Sequence, residues 1–230
     1  MKVGIIGAME EEVTILRDKM SNTKTTTIAN CELIEGQIEG TDVVLVRSGI
    51  GKVNAAIATT LLLEQFKPDY VLNTGSAGGF AADLKVGSVV ISDEVVHHDV
   101  NVTAFGYELG QVPQLPPTFS SDVKLTEIAK EAVEELGEHS HGTGLIASSD
   151  TFMSDPTHVE TVRQNFPEMI AAEMEAAAVA QVCHQFNTPF VVIRALSDIA
   201  GQEAPMSFDE FLPIAAKHSS EIVVKVLSKL

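Results

Sequence analysis

Tryptophan is absent from the 230 residues, tyrosine occurs twice, and aromatic residues make up only 5% of the chain. A hydrophobic core must therefore be built mainly from Val, Ile, Leu and Ala. Cysteine is almost as scarce, with Cys31 and Cys183 alone. Two cysteines are too few for a disulfide framework or a cysteine-rich metal site. Because both lie among apolar residues, we interpret them as free, buried thiols.

Positive charge is the second shortage. Lysine and arginine total 15 against 32 acidic residues, which gives a formal net charge of −17. Nucleic acids and anionic membrane surfaces are bound through clustered Lys and Arg side chains, so such a chain would repel them. Neither nucleic acid nor membrane is therefore expected as a partner.

Long apolar runs are missing as well. No stretch approaches the roughly 18 apolar residues that a membrane-spanning helix needs. The first residues, MKVGIIG, have the character of a strand and lack the features of a targeting segment. We expect a cytoplasmic protein.

The chain does contain an alternation of short apolar runs and helical patterns, which is typical of a sheet covered by helices on both faces. We predict strands over 2–7, 31–38, 43–48, 70–79, 86–96, 168–173 and 189–198, and a strand and loop over 144–150. Helices are predicted over 9–20, 51–66, 120–137, 174–186 and 207–230. Residues 21–30 are interpreted as a polar connection and 103–117 as a long loop. Without a linker or composition shift, residues 1–230 are expected to form a single α/β domain, an α/β/α sandwich with a mixed, mostly parallel central sheet.

Candidate functional residues follow the carboxyl ends of predicted strands, where open α/β sheets bind ligands. Four such ends are polar or glycine-rich: GAMEEE (7–12), TGSAGG (74–79), EME (173–175) and RALSD (194–198). In the first, Glu10 and Glu11 are explained by the helix dipole, which favours acidic residues in a first turn. Glu12 projects toward the apolar side of the helix instead. A desolvated glutamate of this kind is a candidate general base.

Glu173 and Glu175 stand in the apolar run IAAEMEAAAVA (170–180), where an unpaired carboxylate is costly. If a strand ends at Glu173 and a helix begins near Glu175, both carboxylates emerge together. The helix N-terminus would favour ionised Glu175, and a carboxylate can accept two hydrogen bonds from a vicinal diol such as that of a ribose. A salt bridge to Arg194 or helix capping is the alternative, and for Glu173 both interpretations stay open. Asp198 could likewise exchange a proton with a ligand or cap the next segment.

Three other motifs are rejected. SGIGKVNAA (48–56) has Val53 where a phosphate-binding Walker loop needs Ser or Thr, and GIIGAM (4–9) lacks the glycine spacing of a dinucleotide fold. His97, His98 and Asp99 are consecutive, and extended backbone points neighbouring side chains to opposite faces, so we do not expect a metal site there.

Six stretches together resemble the 5′-methylthioadenosine/S-adenosylhomocysteine nucleosidases of the purine nucleoside phosphorylase superfamily, in order and over the whole chain. They are GIIGAMEEE (4–12), SGIGKVNAA (48–56), NTGSAGG (73–79), NVTAFGY (101–107), EMEAAAVA (173–180) and RALSD (194–198). The resemblance implies a nucleoside phosphorylase-like fold. It also implies hydrolysis of the N-glycosidic bond of these two thio-nucleosides to adenine and a thioribose, with 5′-deoxyadenosine as a further candidate substrate. No cofactor or metal is implied.

By the same resemblance, Glu12 activates the attacking water, Asp198 protonates N7 of the departing adenine, and Glu175 holds the ribose hydroxyls. Ser197 is hypothesised to tune Asp198. The other residues predicted to bind substrate are Met9, Ile50, Ser76, Gly78, Phe152, Met153, Glu173, Met174, Arg194, Ser197 and Phe208. A homodimer is also implied, because three positions match residues that complete the site from a neighbouring subunit: Val102, Phe105 and Pro113.

The sequence departs from the family pattern at Ser149, His97 and Asn101, where Gly, Tyr and Asp are usual. We expect these changes to affect the path of the loop at 148–152 and of the loop that follows His97, without touching catalysis.

The main alternative is a phosphate-dependent nucleoside phosphorylase. Phosphate binding needs arginines around an anion site, and related phosphorylases carry Arg at the position of Asn73, while Glu12 would repel phosphate. A non-catalytic nucleoside-binding protein is the second alternative, against which the presence of both Glu12 and Asp198 argues. Superfamily hydrolases acting on AMP or futalosine are a third, and an AMP enzyme would need basic residues where Met9, Ile50 and Phe208 are apolar.

Overall fold

The computed structural model describes residues 1–137, 139–201 and 208–230, except for the side chains of 208–210. Ten strands and six α-helices follow one another along these ranges. In chain order they are β1 (Lys2–Gly7), α1 (Glu10–Asp18), β2 (Ser21–Ile28), β3 (Cys31–Ile38), β4 (Thr41–Arg47), α2 (Lys52–Phe66), β5 (Tyr70–Gly79), β6 (Val89–His97), β7 (Phe119–Ser120), α3 (Val123–Leu136), β8 (His141–Ser148), α4 (Pro156–Asn165), β9 (Met169–Glu173), α5 (Ala176–Phe186), β10 (Phe190–Ile199) and α6 (Phe208–Leu227).

All ten strands join one sheet, in the order β10-β6-β8-β9-β5-β1-β4-β3-β2, with β7 paired to β6. Because β10 also pairs with β5, the five strands β5, β9, β8, β6 and β10 close into a ring at one end of the sheet. The sheet is mixed, as predicted: its parallel pairings include the long β5–β10 and β6–β8 pairs, and its antiparallel ones include β2–β3 and β3–β4.

Helices cover both faces of this sheet. Alternate residues of β4 show the two layers, because successive side chains of a strand point to opposite faces. Val44 and Val46 belong to a core cluster with residues of α2 and α5, whereas Val43 and Leu45 pack with residues of α1, α3 and α6. Burying each such side chain contributes roughly 1.5–3 kcal/mol, and the predicted sandwich is confirmed. No helix in the described ranges is both long and apolar enough to cross a membrane.

Three elements were not predicted from the sequence: β2, α4 and the two-residue strand β7. Residues 21–30, interpreted as a polar connection, contain strand β2, which lies at the end of the sheet and pairs with β3. Its exposed, threonine-rich sequence favours extended backbone without hydrophobic alternation. Helix α4 was also missed, although Asp155 caps its N-terminus and Pro156 occupies its first turn.

The other elements lie close to their predicted positions. The interval 103–117 is a loop that contains a short 3₁₀ helix at Thr103–Phe105. The last helix runs from Phe208 to Leu227, and Ser207, where we predicted it to begin, lies outside the described residues. Cys31 and Cys183 are free and buried, as the sequence indicated.

Candidate active site

A cavity of about 490 Å³ opens at the carboxyl ends of β1, β5, β9 and β10 and is bordered by the segments after β4 and β8. Its volume suits a small-molecule ligand, for which about 300–1,000 Å³ is usual. Both predicted catalytic residues and eleven of the predicted substrate-binding residues line it. These are Met9, Glu12, Ile50, Ser76, Gly78, Phe152, Met153, Glu173, Met174, Glu175, Arg194, Ser197 and Asp198. Ala8, Ala77, Thr151 and Ala172, which the sequence analysis did not single out, complete the lining.

Three predicted site residues lie outside the cavity lining, and the side chain of a fourth is not among those that the structure describes. The backbone of Phe208 begins α6, but its side chain lies outside the described residues. Val102 is half-buried, Pro113 is exposed and Phe105 is 82% exposed, and all three lie in the loop after β6, outside the cavity lining.

Glu12 is only 1% exposed, in agreement with its predicted position on the apolar side of α1. One carboxylate oxygen accepts the backbone N–H groups of Ala8 and Met9, at 2.8 and 3.1 Å. The other accepts the N–H and the hydroxyl of Ser76, at 3.0 and 3.2 Å. The start of α1 and the end of β5 thereby fix the position of this carboxylate.

Close approach of β5 to this carboxylate depends on Gly75. A Cβ at this position would lie 2.5 Å from Oε1 of Glu12 and 2.6 Å from Nη1 of Arg194, and the glycine has φ +148°. Any side chain would therefore have to displace a buried charged group. The glycine-rich end of β5 (TGSAGG, 74–79) thus makes room for the charged groups of the cavity.

Glu173 is held by several donors at the junction of β9 and α5. One of its oxygens accepts the hydroxyl of Ser148. The other accepts the N–H groups of Glu175 and Ala176, at 2.9 and 2.8 Å, and also binds Arg194 at 2.6 Å. The alternatives left open by the sequence, helix capping and a salt bridge, are thus both observed for Glu173.

Arg194 is fully buried and bonded on several sides. Its Nη2 lies 2.8 Å from Oδ1 of Asn73, 2.6 Å from Glu173 and 3.4 Å from Glu175, and Nη1 donates to the carbonyl of Ser76 at 3.2 Å. Burial would lower the pKa of Arg194, but the surrounding carboxylates outweigh burial and raise it. The guanidinium is therefore a fixed positive charge in the floor of the cavity.

Glu175 is more weakly bonded than Glu173. It accepts the N–H of Gly51 at 2.9 Å through one oxygen and has Arg194 at 3.4 Å from the other. Burial raises the pKa of Glu175 to about 7, with Glu173 and Glu12 adding to the rise and Arg194 and Gly51 opposing it. The helix N-terminus predicted to favour ionised Glu175 is thus outweighed by desolvation.

Asp198 lies where β10 departs from regular pairing. The register with β5 shifts between Leu196 and Asp198, and such a bulge re-aims side chains, so that Ser197 and Asp198 both reach the cavity. Burial raises the pKa of Asp198, against the effect of the Ser197 hydroxyl, which donates to it at 2.8 Å. The hypothesis that Ser197 tunes Asp198 agrees with this contact.

The residues that depart from the family pattern have structural partners. Ser149 is buried, and its hydroxyl accepts the N–H of Thr151 at 3.1 Å. The side-chain oxygen of Asn101 accepts the N–H and the hydroxyl of Thr103, the first residue of the short 3₁₀ helix. His97 is buried with Nε2 2.9 Å from Oε1 of Gln181. Within the described ranges, no three His, Cys, Asp or Glu residues are grouped closely enough to hold a metal ion.

Comparison with known proteins assigns the chain to a family. The model of the phosphorylase superfamily matches residues 2–228. The 5′-methylthioadenosine/S-adenosylhomocysteine nucleosidase of Bacillus subtilis (strain 168) is 63% identical over 230 residues, which cover 100% of both chains. The chain belongs to this nucleosidase family.

Solved structures of the family share the fold. The nucleosidase from Colwellia psychrerythraea, in complex with adenine, is 54% identical with a TM-score of 0.97, covering 100% of this chain and 96% of that one. The nucleosidase from Neisseria meningitidis, in complex with methylthio-immucillin-A, is 51% identical with a TM-score of 0.97, covering 100% and 99%. The family resemblance and the fold class predicted from the sequence are confirmed.

Sequence reasoning missed two groups that hold the carboxylates. The N–H of Gly51, which binds Glu175, is a backbone group, so no side-chain pattern in the sequence indicates it. Ser148, which binds Glu173, stands at the end of β8, and its place at the carboxyl end of a strand is a signal that could have found it.

Proposed function

We propose that the protein hydrolyses the N-glycosidic bond of 5′-methylthioadenosine and of S-adenosylhomocysteine, releasing adenine and the corresponding 5-thioribose. The observation that carries the proposal is the convergence of Glu12, Glu175 and Asp198 on one cavity of nucleoside size. The names of the relatives, and the adenine bound to the Colwellia protein, support the same substrate class.

Protonation of the departing adenine is assigned to Asp198. As the bond between C1′ and N9 breaks, its electron pair goes to the purine, and a proton on N7 makes the base a better leaving group. A general acid must hold its proton near the working pH, and burial raises the pKa of Asp198 in that direction. Asp198 gives its proton to N7 and recovers one from solvent after product release.

Attack by water is assigned to Glu12. The water oxygen bonds to C1′ of the oxocarbenium-like sugar while Glu12 takes a proton from it, the division of labour seen in two-carboxylate glycosidases. Glu12 gives this proton to solvent after product release. Four donors hold the carboxylate, of which the Ser76 hydroxyl is the longest, at 3.2 Å. The attacking water takes the place of this hydroxyl on Glu12.

The ribose diol is assigned to Glu175. Its contact to Arg194 is long, at 3.4 Å, because Glu173 lies nearer to the same nitrogen, at 2.6 Å. Glu175 therefore retains hydrogen-bonding capacity for the two hydroxyls. Those hydroxyls replace part of the solvation that Glu175 has lost on burial.

The remaining parts of the nucleoside are assigned to apolar walls. Phe152, Met153 and Met174 line the cavity, and we assign the first two to the adenine slot and Met174 to packing on the nucleoside. Met9 and Ile50 face the 5′-thio group. A phosphorylated 5′ end is disfavoured at this wall, because both side chains are uncharged.

The phosphorylase alternative is disfavoured by the charges of the cavity. Arg194 is the cation among its lining residues, and it is bound to Glu173 and Glu175. Asn73, at the position where phosphorylases have Arg, bonds Arg194 and the carbonyl of Ile6 instead. An incoming phosphate would face carboxylates without a cation to bind it.

We also propose that the protein acts as a homodimer. Val53 is 69% exposed and Ile57 39%, and their spacing of four residues places them on one face of α2. Ile50, which borders the cavity, is exposed beside them, and Phe105 is exposed in the loop after β6. A second copy covering this surface would bring its own loop residues to the rim of the cavity.

The proposed reaction is tested by following adenine release from methylthioadenosine, S-adenosylhomocysteine and adenosine, each with and without phosphate. We expect release from the two thio-nucleosides at a rate that phosphate does not change. Release that depends on phosphate would indicate a phosphorylase. Absence of release from all three would refute the proposal.

A further inference from the structure

The N-terminus of α2 lacks a cap of its own. Its N-cap residue is Gly51, which has no side chain, and its first turn contains no acidic residue. The first N–H groups of a helix need acceptors from outside it. Two carboxylates distant in sequence supply them: Glu175 accepts from Gly51 at 2.9 Å, and Asp150 accepts from the N–H of Lys52 at 2.8 Å.

The side chain of Lys52 adds a third link. Its ammonium lies 2.5 Å from one oxygen of Asp99, and the other oxygen of Asp99 accepts the N–H of Asp150 at 3.3 Å. The side chains of Lys52 and Asp99 are 18% and 33% exposed, so the pair is partly desolvated. Burial alone would raise the pKa of Asp99, but Lys52 outweighs burial and holds the pKa below its usual value. We call Lys52, Asp99 and Asp150 the latch.

The latch joins two walls of the cavity without forming part of either. Asp150 directly precedes Thr151, Phe152 and Met153, which line the cavity, whereas the latch residues themselves are absent from the lining. On the other side, Gly51 directly precedes Lys52 and binds Glu175.

Contact between the two walls is close at Gly51. This residue has φ +97°, and a Cβ there would lie 3.1 Å from the Asp150 carboxylate. Lys52 therefore binds the residue that precedes 151–153 and directly follows the residue whose N–H binds Glu175.

We propose that Lys52 is a positioning residue for the nucleoside: through the latch it fixes the position of the adenine wall at 151–153 relative to Glu175, the carboxylate assigned to the ribose. This inference rests on the proposed function for what the two walls bind. It assigns Lys52 no contact with the substrate. Loss of its charge should weaken nucleoside binding more than it slows bond cleavage, because Glu12 and Asp198 are held by other groups.

The latch itself is tested without any ligand, by hydrogen exchange of backbone amides over 149–153. Lys52→Met should raise exchange there by about tenfold, the factor expected on losing a charge-assisted contact. Lys52→Arg, which keeps the charge, should restore much of the protection. Lys130→Met is the matched control, because Lys130 forms an ion pair with Glu127 on the surface of α3 and should leave this segment unchanged.

Positioning is tested by kinetics with methylthioadenosine. Lys52→Met should raise KM by about tenfold and leave kcat within about threefold. Asp99→Asn, a second variant of nearly unchanged shape, should act in the same way, and the double variant should be no worse than either single one. Unchanged exchange at 149–153 would overturn the latch, and faster exchange with an unchanged KM would overturn its positioning role. A wild-type protein that releases no adenine would refute the proposed function, whereas the exchange data would still decide whether the latch exists.

Discussion

In the proposed reaction, Asp198→Asn is the substitution that isolates protonation of the leaving group. Asparagine has nearly the same shape, and its oxygen can still accept the hydroxyl of Ser197, which lies 2.8 Å from the aspartate. The fold and the cavity should therefore persist. A positioned general acid contributes about 10²–10⁴ in rate, so kcat for methylthioadenosine should fall by about that factor while adenine binding is retained.

The pH dependence of kcat shows which protonation state of Asp198 is active. Burial raises the pKa of Asp198, and only the protonated form can act as acid, so kcat of the wild type should fall as pH rises through that raised pKa. Asp198→Asn should lack this alkaline limb. Between the ordinary pKa and the raised one, the folded state binds a proton more tightly than the unfolded state, so stability is lost as pH rises. The neutral side chain should therefore leave Tm at neutral pH unchanged or higher.

The assay is adenine release at saturating substrate over a range of pH, with Tm measured on the same samples. A fall in kcat without a fall in Tm separates loss of the acid from loss of the fold. The reasoning is refuted if Asp198→Asn keeps kcat within about threefold of the wild type, or if its alkaline limb persists.

Three further predictions follow from the contacts described. Ser197→Ala removes a donor that lowers the pKa of Asp198, so the alkaline limb of kcat should move to higher pH; a limb that stays in place would contradict this. Gly75→Ala places a Cβ 2.5 Å from the Glu12 carboxylate. It should lower kcat by about 10² or more, the rate factor that a positioned general base contributes. An unchanged kcat would show that the cavity adapts freely. Val53→Asp puts a charge on a side chain that is 69% exposed in one chain, so light scattering should show a folded monomer; a dimer of unchanged mass would place the interface elsewhere.

Local sequence patterns predicted most elements but not how they pair. The strand over 70–79 was predicted with the observed bounds, because its apolar run and terminal glycines are local signals. By contrast, β2 lacks hydrophobic alternation since its side chains face solvent. The closure of β10 onto β5 joins residues more than a hundred positions apart, and no local periodicity specifies such a pairing.

Residue types in the candidate site were predictable, while their environments were not. Glu12 could be placed on the buried side of its helix from spacing alone, and its burial is observed. The raised pKa of Glu175 could not be predicted from its place at a helix N-terminus, because burial and the two neighbouring carboxylates that raise it are tertiary effects. The bulge that lets both Ser197 and Asp198 reach the cavity is likewise set by pairing with β5.

The proposed division of labour between Glu12 and Asp198 is tested most directly with a substrate whose leaving group departs without protonation. A 5-methylthioriboside of 4-nitrophenol is suitable, because 4-nitrophenolate is a stable anion near neutral pH. We predict that Asp198→Asn hydrolyses it at close to the wild-type rate, whereas Glu12→Gln remains impaired on both this substrate and methylthioadenosine. Equal impairment of Asp198→Asn on the two substrates would contradict the assignment of Asp198 as the acid and, with it, the proposed mechanism.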